Sequence, residues 1–435
     1  MTKANTSLAE TNLFKPIVVG DIKLAHRVVF APTSRARSVN FTPTDIMLEY
    51  YTARSKYPGT LIIFESVMGS RTGGLAAFKS GLWSDKQSSA LKKITDAIHA
   101  NGSYVSIQLF SSGRTSSIDL LKKHGQDFAA PSAGLYMSDT QRIKAEENGL
   151  ELRAFTVDEI HKIQDEFVES SVRALTKANF DYIEIHGGSG HLVEQFLSPL
   201  SNQRNDEYGG SVENRSRFLL ELVDKLFDHP EIGPSKVSLR LTPFSEHNGM
   251  VYPDDIPHNE NPTLKACEYI VQELEKRKQE GKEIAYFSLP EPRVSGSSDI
   301  DPTGKSNATL IESWTGVLVR AGGYGTNFKG DPTLIKSNVH HLVIEGNEIL
   351  HYTDLIKHVN EDDRTMIGFS RPFVSNPDLV SRLEKGLKLD HYDRSTFYTH
   401  TVDGYLTYGE YNNDEEPSQV KFDEKELQRE GIPLE

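Results

Sequence analysis

The chain is short of three features that would place it in other classes of protein. It has one cysteine, Cys267, so no intrachain disulfide can form and a reducing compartment is expected. Its formal net charge of -14 argues against nucleic-acid binding, which needs a basic surface to neutralise phosphates. It has no apolar run long enough to cross a bilayer and no apolar core of a signal peptide near residue 1. We therefore expect a cytoplasmic protein that binds neither nucleic acid nor membranes.

The residues that are present alternate between strand-like and helix-like patterns. The candidate strands are Val28–Phe30, Thr60–Phe64, Tyr104–Leu109, Asp181–Ile185, Val237–Leu241, Ile284–Leu289, Val317–Arg320 and Met366–Phe369. Amphipathic patterns such as Ile160–Ala178 and Phe218–Phe227 lie between them, and Ser211 is a candidate N-cap for the second. This alternation predicts parallel strands with helical crossovers. Eight such units favour an α/β fold of the closed (β/α)8 TIM-barrel type, with an open doubly wound sheet as the alternative.

The remaining segments are assigned to the same domain. We interpret residues 1–435 as one barrel, with peripheral tails at residues 1–12 and 410–435. The run PIVVGDIKLAHR alternates around Gly20-Asp21 and predicts an N-terminal β-hairpin that caps the bottom of the barrel. Four long segments follow strands at their carboxyl ends, where barrel active sites are built: Ser111–Phe155, Thr242–Pro262, Arg293–Ser313 and Gly323–Asp363. The last includes HHLVIEGNEILHY, which predicts a further hairpin turning at Gly346-Asn347.

Polar side chains gather where the predicted strands end, and in a barrel they would converge on one face. They are Thr33, Ser34, Arg35, Gln108, His186, Ser189, His191, Arg240, Arg320, Ser370 and Arg371. Arg240 lies inside an apolar strand, where a charge is costly unless it is paired. Either an anionic or electron-rich ligand or a neighbouring carboxylate would fill that need. Gly322-Gly323 and Ser370-Arg371 follow the last two strands, where barrels often bind phosphate through backbone N–H groups, a helix N-terminus and an arginine.

The histidines of the stretch DYIEIHGGSGHLVEQFLSP allow several interpretations. A metal site built from His186, His191 and Glu194 lacks the HExxH spacing and has no clear third arm elsewhere, so we predict no metal. The GGSG run lacks the full dinucleotide-binding pattern. Either histidine could be a buried structural residue. Two histidines at the carboxyl end of a barrel strand favour hydrogen-bond donors in a pocket.

At this point the chain resembles a known family. HGGSGHLVEQFLSPLSNQRNDEYGGSVENRSRF, LAHRVVFAPTSRAR, SLRLTP, LVRAGG and IGFSRPFVSNPDLVSRLEKGL are similar to motifs of the Old Yellow Enzyme family, fungal members above all. The resemblance runs from about Leu13 to Tyr405. It implies a (β/α)8 barrel with an N-terminal hairpin and non-covalent FMN. NADPH or NADH would reduce the flavin, which would then pass hydride to the β-carbon of an activated alkene, an enone-like small molecule.

The resemblance also implies roles for individual residues. The predicted FMN contacts are Pro32, Thr33, Ser34, Gln108, Arg240, Gly322, Gly323, Ser370 and Arg371. Arg240 would stabilise the anionic reduced flavin. The predicted wall of the substrate or flavin pocket is formed by Phe110, Phe397 and Tyr398, which could equally be ordinary aromatic core.

The departures from the family pattern fall on the catalytic positions. His186 pairs with Ser189, where the family has histidine or asparagine, and the pair would bind the substrate carbonyl. His191 replaces the tyrosine that donates a proton, and an ordinary imidazole would do so with a pKa near 6.5. Residues 323–363 form a longer segment than the family usually has. The alternative function is a divergent flavoprotein that has lost alkene reduction, acting as a ligand-binding protein or as an NAD(P)H oxidase or quinone reductase. A monomer or a homodimer is expected.

Overall fold

Eight parallel strands form a closed barrel in the computed structural model, which describes residues 5–296, 298–325, 352–412 and 418–435. The barrel strands are β1 (Val28–Phe30), β2 (Leu61–Met68), β3 (Tyr104–Phe110), β4 (Tyr182–Gly187), β5 (Val237–Leu241), β6 (Tyr286–Pro290), β7 (Leu318–Ala321) and β8 (Thr365–Phe369). They follow one another around the barrel in chain order, and β8 pairs with β1 to close it. The predicted (β/α)8 barrel is therefore confirmed, and the open sheet is wrong.

The strand boundaries differ from the prediction mainly where a strand ends in polar residues. β2 continues past Phe64 to Met68, and its register with β3 shifts between Phe64 and Val67. The prediction stopped at Phe64 because Glu65 and Ser66 interrupt the apolar run, yet both are buried in the strand. β4 likewise includes His186. A polar residue at these positions is buried within the strand rather than ending it.

Helices connect the strands and pack around them. They are α1 (Asp45–Arg54), α2 (Asp85–Ala100), α3 (Ile118–His124), α4 (Asp139–Glu147), α5 (Val157–Thr176), α6 (Leu192–Leu197), α7 (Val212–Asp228), α8 (Pro262–Gln279), α9 (Ala308–Ser313), α10 (Thr353–Glu361), α11 (Arg371–Ser375), α12 (Leu379–Lys385) and α13 (Glu424–Leu427). The Ser211 side chain accepts a hydrogen bond from the N–H of Asn214, so the predicted N-cap of α7 is confirmed. None of the helices in the described ranges is long and apolar enough to cross a membrane.

The predicted N-terminal hairpin covers the bottom of the barrel. Ile17–Val19 pairs antiparallel with Ile22–Leu24. Val19 and Leu24 are fully buried in one apolar cluster with residues of several barrel strands. The hydroxyl of Tyr182 on β4 donates to the carbonyl of Val19 at 2.7 Å. The hairpin therefore closes the end of the barrel opposite the polar strand ends.

The long segments and chain ends carry structure of their own. Residues 111–155 contain α3, α4 and a parallel pairing of Ala129–Ala130 with Arg153–Ala154. Short strands Val294–Ser295 and Ser298–Asp299 pair antiparallel. Leu8 is buried and its N–H donates to the carbonyl of Leu383, while Arg429 forms an ion pair with Asp45 of α1 at 2.8 Å. Both chain ends thus contact the barrel's helices. The predicted hairpin at Gly346-Asn347 lies outside the described residues.

Candidate functional site

The turn after β4 is built so that backbone can pass very close to backbone. A Cβ on Gly188 would lie 2.1 Å from Oγ1 of Thr242, which follows β5. The N–H of the next residue, Ser189, donates to that same Oγ1 at 2.8 Å. Real Cβ contacts are never this short, so only glycine at position 188 lets the turn lie against Thr242. This packing fixes the chain between the two histidines.

Ser189 itself has a backbone conformation unusual for a serine. Its φ is +57°, in the left-handed region. The conformation is held by the bond to Thr242 and by the side-chain amide of Asn248, which donates to the Ser189 carbonyl at 2.8 Å. Hydrogen bonds to the N–H and to the carbonyl of Ser189 therefore offset this backbone strain.

A buried carboxyl group supports the far side of the turn. Glu194, at the start of α6, accepts a hydrogen bond from the N–H of Gly190 at 2.6 Å. Gln195 is fully buried and donates to the Gly190 carbonyl at 2.8 Å. Burial raises the pKa of Glu194 to about 8, although the Gly190 bond and Arg114 oppose the shift. The Glu194 carboxyl is thus largely protonated at pH 7, which leaves the histidines next to it without an anionic neighbour there.

The predicted histidine pair is brought together in the pocket. The rings of His186 and His191 meet edge to face with centroids 5.2 Å apart, and Phe110 contacts His191 in the same way at 4.8 Å. Burial lowers the pKa of His191 to about 3, with Lys79 and His247 adding to the effect. Burial also lowers the pKa of His186 well below 6.5. Both rings are therefore neutral at pH 7, and the expectation that His191 titrates near 6.5 is wrong because burial disfavours the imidazolium.

Arg240 lies beside this pair on β5, in register with His186 of β4. Its guanidinium is attracted by Glu184, but no carboxylate lies within 4.0 Å of it in the part of the chain that the structure describes. Its Nε atom is buried and has no hydrogen-bond partner among the described residues. A neighbouring carboxylate, Glu184, therefore compensates part of the positive charge of Arg240, and the Nε donor of Arg240 remains for a ligand.

Glu184 interacts with both Arg240 and Gln108, another polar residue predicted for the site. Gln108 donates to Glu184 Oε1 at 2.7 Å and accepts from the hydroxyl of Ser66 at 2.5 Å. Glu184 is fully buried, and burial raises its pKa while Arg240 and Gln108 lower it. The network fixes the orientation of the Gln108 amide beneath the pocket.

The carboxyl ends of β7 and β8 form the other end of the pocket. Arg240 and Pro32 line it together with Arg293, Gly322, Gly323, Ser370, Arg371 and Tyr392. Gly322 and Gly323 both have positive φ, at +97° and +96°, and a Cβ on Gly323 would lie 2.8 Å from the Arg293 guanidinium. The hydroxyls of Thr33 and Ser370 are 2.7 Å apart, which links the ends of β1 and β8. The pocket thus has three arginines in its lining, Arg240, Arg293 and Arg371.

Two predicted strand-end residues lie elsewhere. Arg320 forms an ion pair with Glu291 at 2.8 Å. Arg35 is buried and donates to the carbonyls of Phe397 and Gly404 at 3.0 and 2.7 Å. Phe397 is buried over the Arg35 guanidinium at 5.5 Å, whereas Tyr398 is 54% exposed. Of the predicted wall residues Phe397 and Tyr398, Phe397 is the one that packs against the strand ends.

Four residues of the site were missed in the sequence. Glu184 has the same signal as Arg240, a charge in an apolar strand, and the alternation of DYIEIHG could have found it. Glu194 was considered only as a metal ligand. Thr242 and Lys79 carry no local signal, because each acts through a contact with a distant segment: Thr242 with Ser189 and Lys79 with Ser34.

These groups match the chemistry of FMN. The pocket is lined by Arg293, Arg371 and a pair of positive-φ glycines, which suit a phosphate. Arg240 offers an unpartnered buried donor, which suits a carbonyl and ring nitrogen that become electron-rich. Of the predicted FMN contacts, those that line this pocket and would hold the group are Pro32, Arg240, Gly322, Gly323, Ser370 and Arg371, whereas Thr33, Ser34 and Gln108 stay predictions.

Comparisons with known proteins agree with this geometry. Residues 12–362 match the model of the NADH:flavin oxidoreductase / NADH oxidase family. A probable NADPH dehydrogenase of Candida albicans is 41% identical, over 99% of this chain and 95% of its own length. Enoate reductase 1 of Kluyveromyces lactis is 37% identical, over 93% of this chain and 95% of its own. The crystal structure of Old Yellow Enzyme from a Pichia species superimposes with a TM-score of 0.84 at 39% identity, covering 98% of this chain and 100% of the other.

The fold, the pocket and these relatives agree on one assignment. The chain belongs to the Old Yellow Enzyme family and is an FMN-dependent NAD(P)H oxidoreductase.

Proposed function

We propose that this protein reduces the carbon–carbon double bond of α,β-unsaturated carbonyl compounds. Bound FMN would supply hydride chemistry, taking hydride from NAD(P)H and delivering it to the β-carbon. The observation that carries the proposal is His186, whose ring lies buried at the carboxyl end of β4 and whose Nδ1 has no hydrogen-bond partner among the described residues. A buried polar atom without a partner costs about 1–3 kcal/mol, and a substrate would remove that cost.

His186 would bind the carbonyl oxygen of the substrate. Its pKa lies well below 6.5, so the ring is neutral at pH 7 and keeps one N–H for donation. Arg240, in register with it on β5, adds a positive charge below the same point. These donors would polarise the carbonyl and draw electrons from the double bond, which favours attack at the β-carbon.

His191 would deliver a proton to the α-carbon from a neutral ring N–H. Its Nδ1 is 3.4 Å from the hydroxyl of Thr115, which could orient the ring or return a proton to it. Phe110 holds the ring edge to face on the other side. Because its pKa is about 3, the rate of the step is expected to show no ionisation of His191 between pH 5 and 8.

Ser189 is the proposed catalytic residue least suited to its role, so substituting it tests the proposal directly. Its hydroxyl is one atom shorter than the amide of asparagine, and its φ of +57° is one that asparagine tolerates better than serine. Ser189→Asn is therefore expected to raise kcat/KM for cyclohexenone by about tenfold or more, since a missing donor of this kind typically costs 10²–10³ in rate. Ser189→Ala is the matched control, which keeps the strain and removes only the hydroxyl.

The function is tested with the purified holoprotein under anaerobic conditions. NADPH is added first and cyclohexenone second, while the visible spectrum is recorded. We expect the flavin band to bleach with NADPH and return with the enone. If it bleaches and does not return in the wild type or in Ser189→Asn, alkene reduction is refuted. The alternative of a flavoprotein that serves as an oxidase, a quinone reductase or a ligand-binding protein would then be favoured.

A further inference from the structure

Lys79 is held beside Ser34 by a segment that is fixed on both sides. The preceding residue, Phe78, has a φ of +55°, which is strained for a bulky side chain. Its ring stacks on His400 with centroids 3.7 Å apart and planes inclined by 17°. The following residue, Ser80, accepts the N–H of Met68 at 2.8 Å through its carbonyl. Such strain persists only where the surroundings impose it, and it occurs most often at functional sites.

The ammonium group of Lys79 lies between Ser34, which is proposed to contact FMN, and Phe110, which is proposed to line the substrate or flavin pocket. It donates a hydrogen bond to the hydroxyl of Ser34. It also lies 5.6 Å from the ring centroid of Phe110, whose ring contacts His191. The positive charge of Lys79 contributes to lowering the pKa of both His186 and His191, which shows that it acts on the same space. The pocket therefore has a cation between Ser34 and the histidines.

Lys79 is attracted by one buried carboxylate, Glu65, but forms no close ion pair in the described part of the chain. No carboxylate lies within 4.0 Å of Lys79 Nζ among the residues that the structure describes. Glu65 attracts it from the end of β2, but the two Glu65 oxygens already accept from the N–H of Arg35 and the hydroxyl of Tyr51, both at 3.2 Å. Glu194, the other buried acid near the turn, is largely protonated at pH 7 because its pKa is about 8. A ligand carrying a negative charge would add the direct contact that Glu65 does not make.

We propose that Lys79 selects substrates that carry a carboxylate in addition to the activating carbonyl, a class of unsaturated oxo acids. This inference rests on the proposed alkene reduction. His186 would bind the activating ketone or aldehyde oxygen, and Lys79 would form a charge-assisted hydrogen bond with the carboxylate at the other end of the alkene. The chemical step itself is unchanged.

The test compares an acid with its neutral methyl ester, and the ratio between them is compared across variants because the ester also differs in size and in electron withdrawal. The pair is (E)-4-oxopent-2-enoate and its methyl ester, and the measured quantity is the acid-to-ester ratio of kcat/KM. A charge-assisted hydrogen bond of ordinary strength corresponds to about 10- to 100-fold. Lys79→Met should lower the ratio by that factor, mainly through KM of the acid, whereas Lys79→Arg should retain most of it. Lys86→Met, which removes an exposed lysine on α2, should leave the ratio as in the wild type.

A binding measurement separates this inference from the proposed function. The oxidised holoprotein is titrated with 4-oxopentanoate and with its methyl ester, which have no double bond to reduce. Lys79→Met should weaken binding of the acid relative to the ester by the same factor. A ratio that Lys79→Met does not change, in turnover and in binding, overturns the role of Lys79 even if the enones are reduced. If neither enone is reduced but acid binding depends on Lys79, alkene reduction fails and the carboxylate site remains.

Discussion

Replacing Gly188 by alanine should disturb the turn between the two histidines. The added Cβ would lie 2.1 Å from Thr242 Oγ1, 2.7 Å from its Cγ2 and 2.8 Å from its Cβ. Rotation of the Thr242 side chain can move Oγ1 and Cγ2 away, but it cannot move Cβ. The backbone of one segment must therefore shift, and the Ser189–Thr242 hydrogen bond of 2.8 Å must lengthen or break.

The expected cost follows from these contacts. Overpacking by one methyl group costs about 1–3 kcal/mol, and a lost hydrogen bond adds about 1 kcal/mol. We therefore expect Gly188→Ala to lower the free energy of unfolding by about 2–4 kcal/mol in urea titrations. Because His186 lies two residues before this position, the rate of reoxidation by enone should fall more than the rate of flavin reduction by NADPH.

Thr242→Ala gives the matched control in a double-mutant cycle. It removes Oγ1 and Cγ2, so it relieves the two contacts at 2.1 and 2.7 Å and leaves the one at 2.8 Å. On its own it should cost about 1 kcal/mol because Ser189 loses its acceptor. In combination, the two changes should destabilise by at least 1 kcal/mol less than the sum of the single changes. A free energy of unfolding of Gly188→Ala within 0.5 kcal/mol of the wild-type value would refute the close-approach argument. Additivity of the two changes in the cycle would refute it as well.

Two further predictions concern the pH dependence of stability. Glu194 has a folded pKa of about 8 against an ordinary 4.5, so between these pH values only the unfolded state releases the proton. The free energy of unfolding should therefore fall by about 1.36 kcal/mol for each unit of rising pH, on the order of 4–5 kcal/mol in all. Glu194→Gln should remove this loss, as measured by urea unfolding at pH 5 and 8; an unchanged slope would contradict the raised pKa. His26 is buried, with its pKa lowered from 6.5 to about 4, so stability should fall as pH drops through that range by on the order of 3 kcal/mol. His26→Gln should flatten the acid limb between pH 6.5 and 4, and an acid limb identical to that of the wild type would show that His26 is protonated in the fold.

The barrel could be predicted from the chain because each strand is marked by its own residues. Runs such as TLIIF are mostly apolar and rich in β-branched residues over a length typical of a strand, and an amphipathic helix follows. The register of the strands and the closure of the barrel then follow from the topology of parallel sheets. Strand ends were less well predicted, since polar Glu65 and His186 are buried in β2 and β4 and would ordinarily mark a loop.

The site was only partly predictable because its electrostatics depend on contacts between distant segments. Arg240 could be singled out as a charge in an apolar strand. The protonation state of His191 could not be read from its neighbours in the chain, because burial among Phe110, Lys79 and His247 sets it. Lys79 reads as an ordinary loop lysine until Phe78 and Ser80 are seen to fix it over Ser34.

The contacts of Arg35 with residues near the other end of the chain have a consequence for the order in which the protein can mature during synthesis. Arg35 and Arg37 leave the ribosome early. Most carbonyls that accept hydrogen bonds from their buried guanidinium groups belong to residues 396–404. A nascent chain lacking these residues would leave most donors of the two guanidinium groups without acceptors, which disfavours their burial. The strand end that carries Ser34 can therefore settle only after residue 404 has been translated. Capture of the flavin is accordingly expected to follow synthesis of this segment.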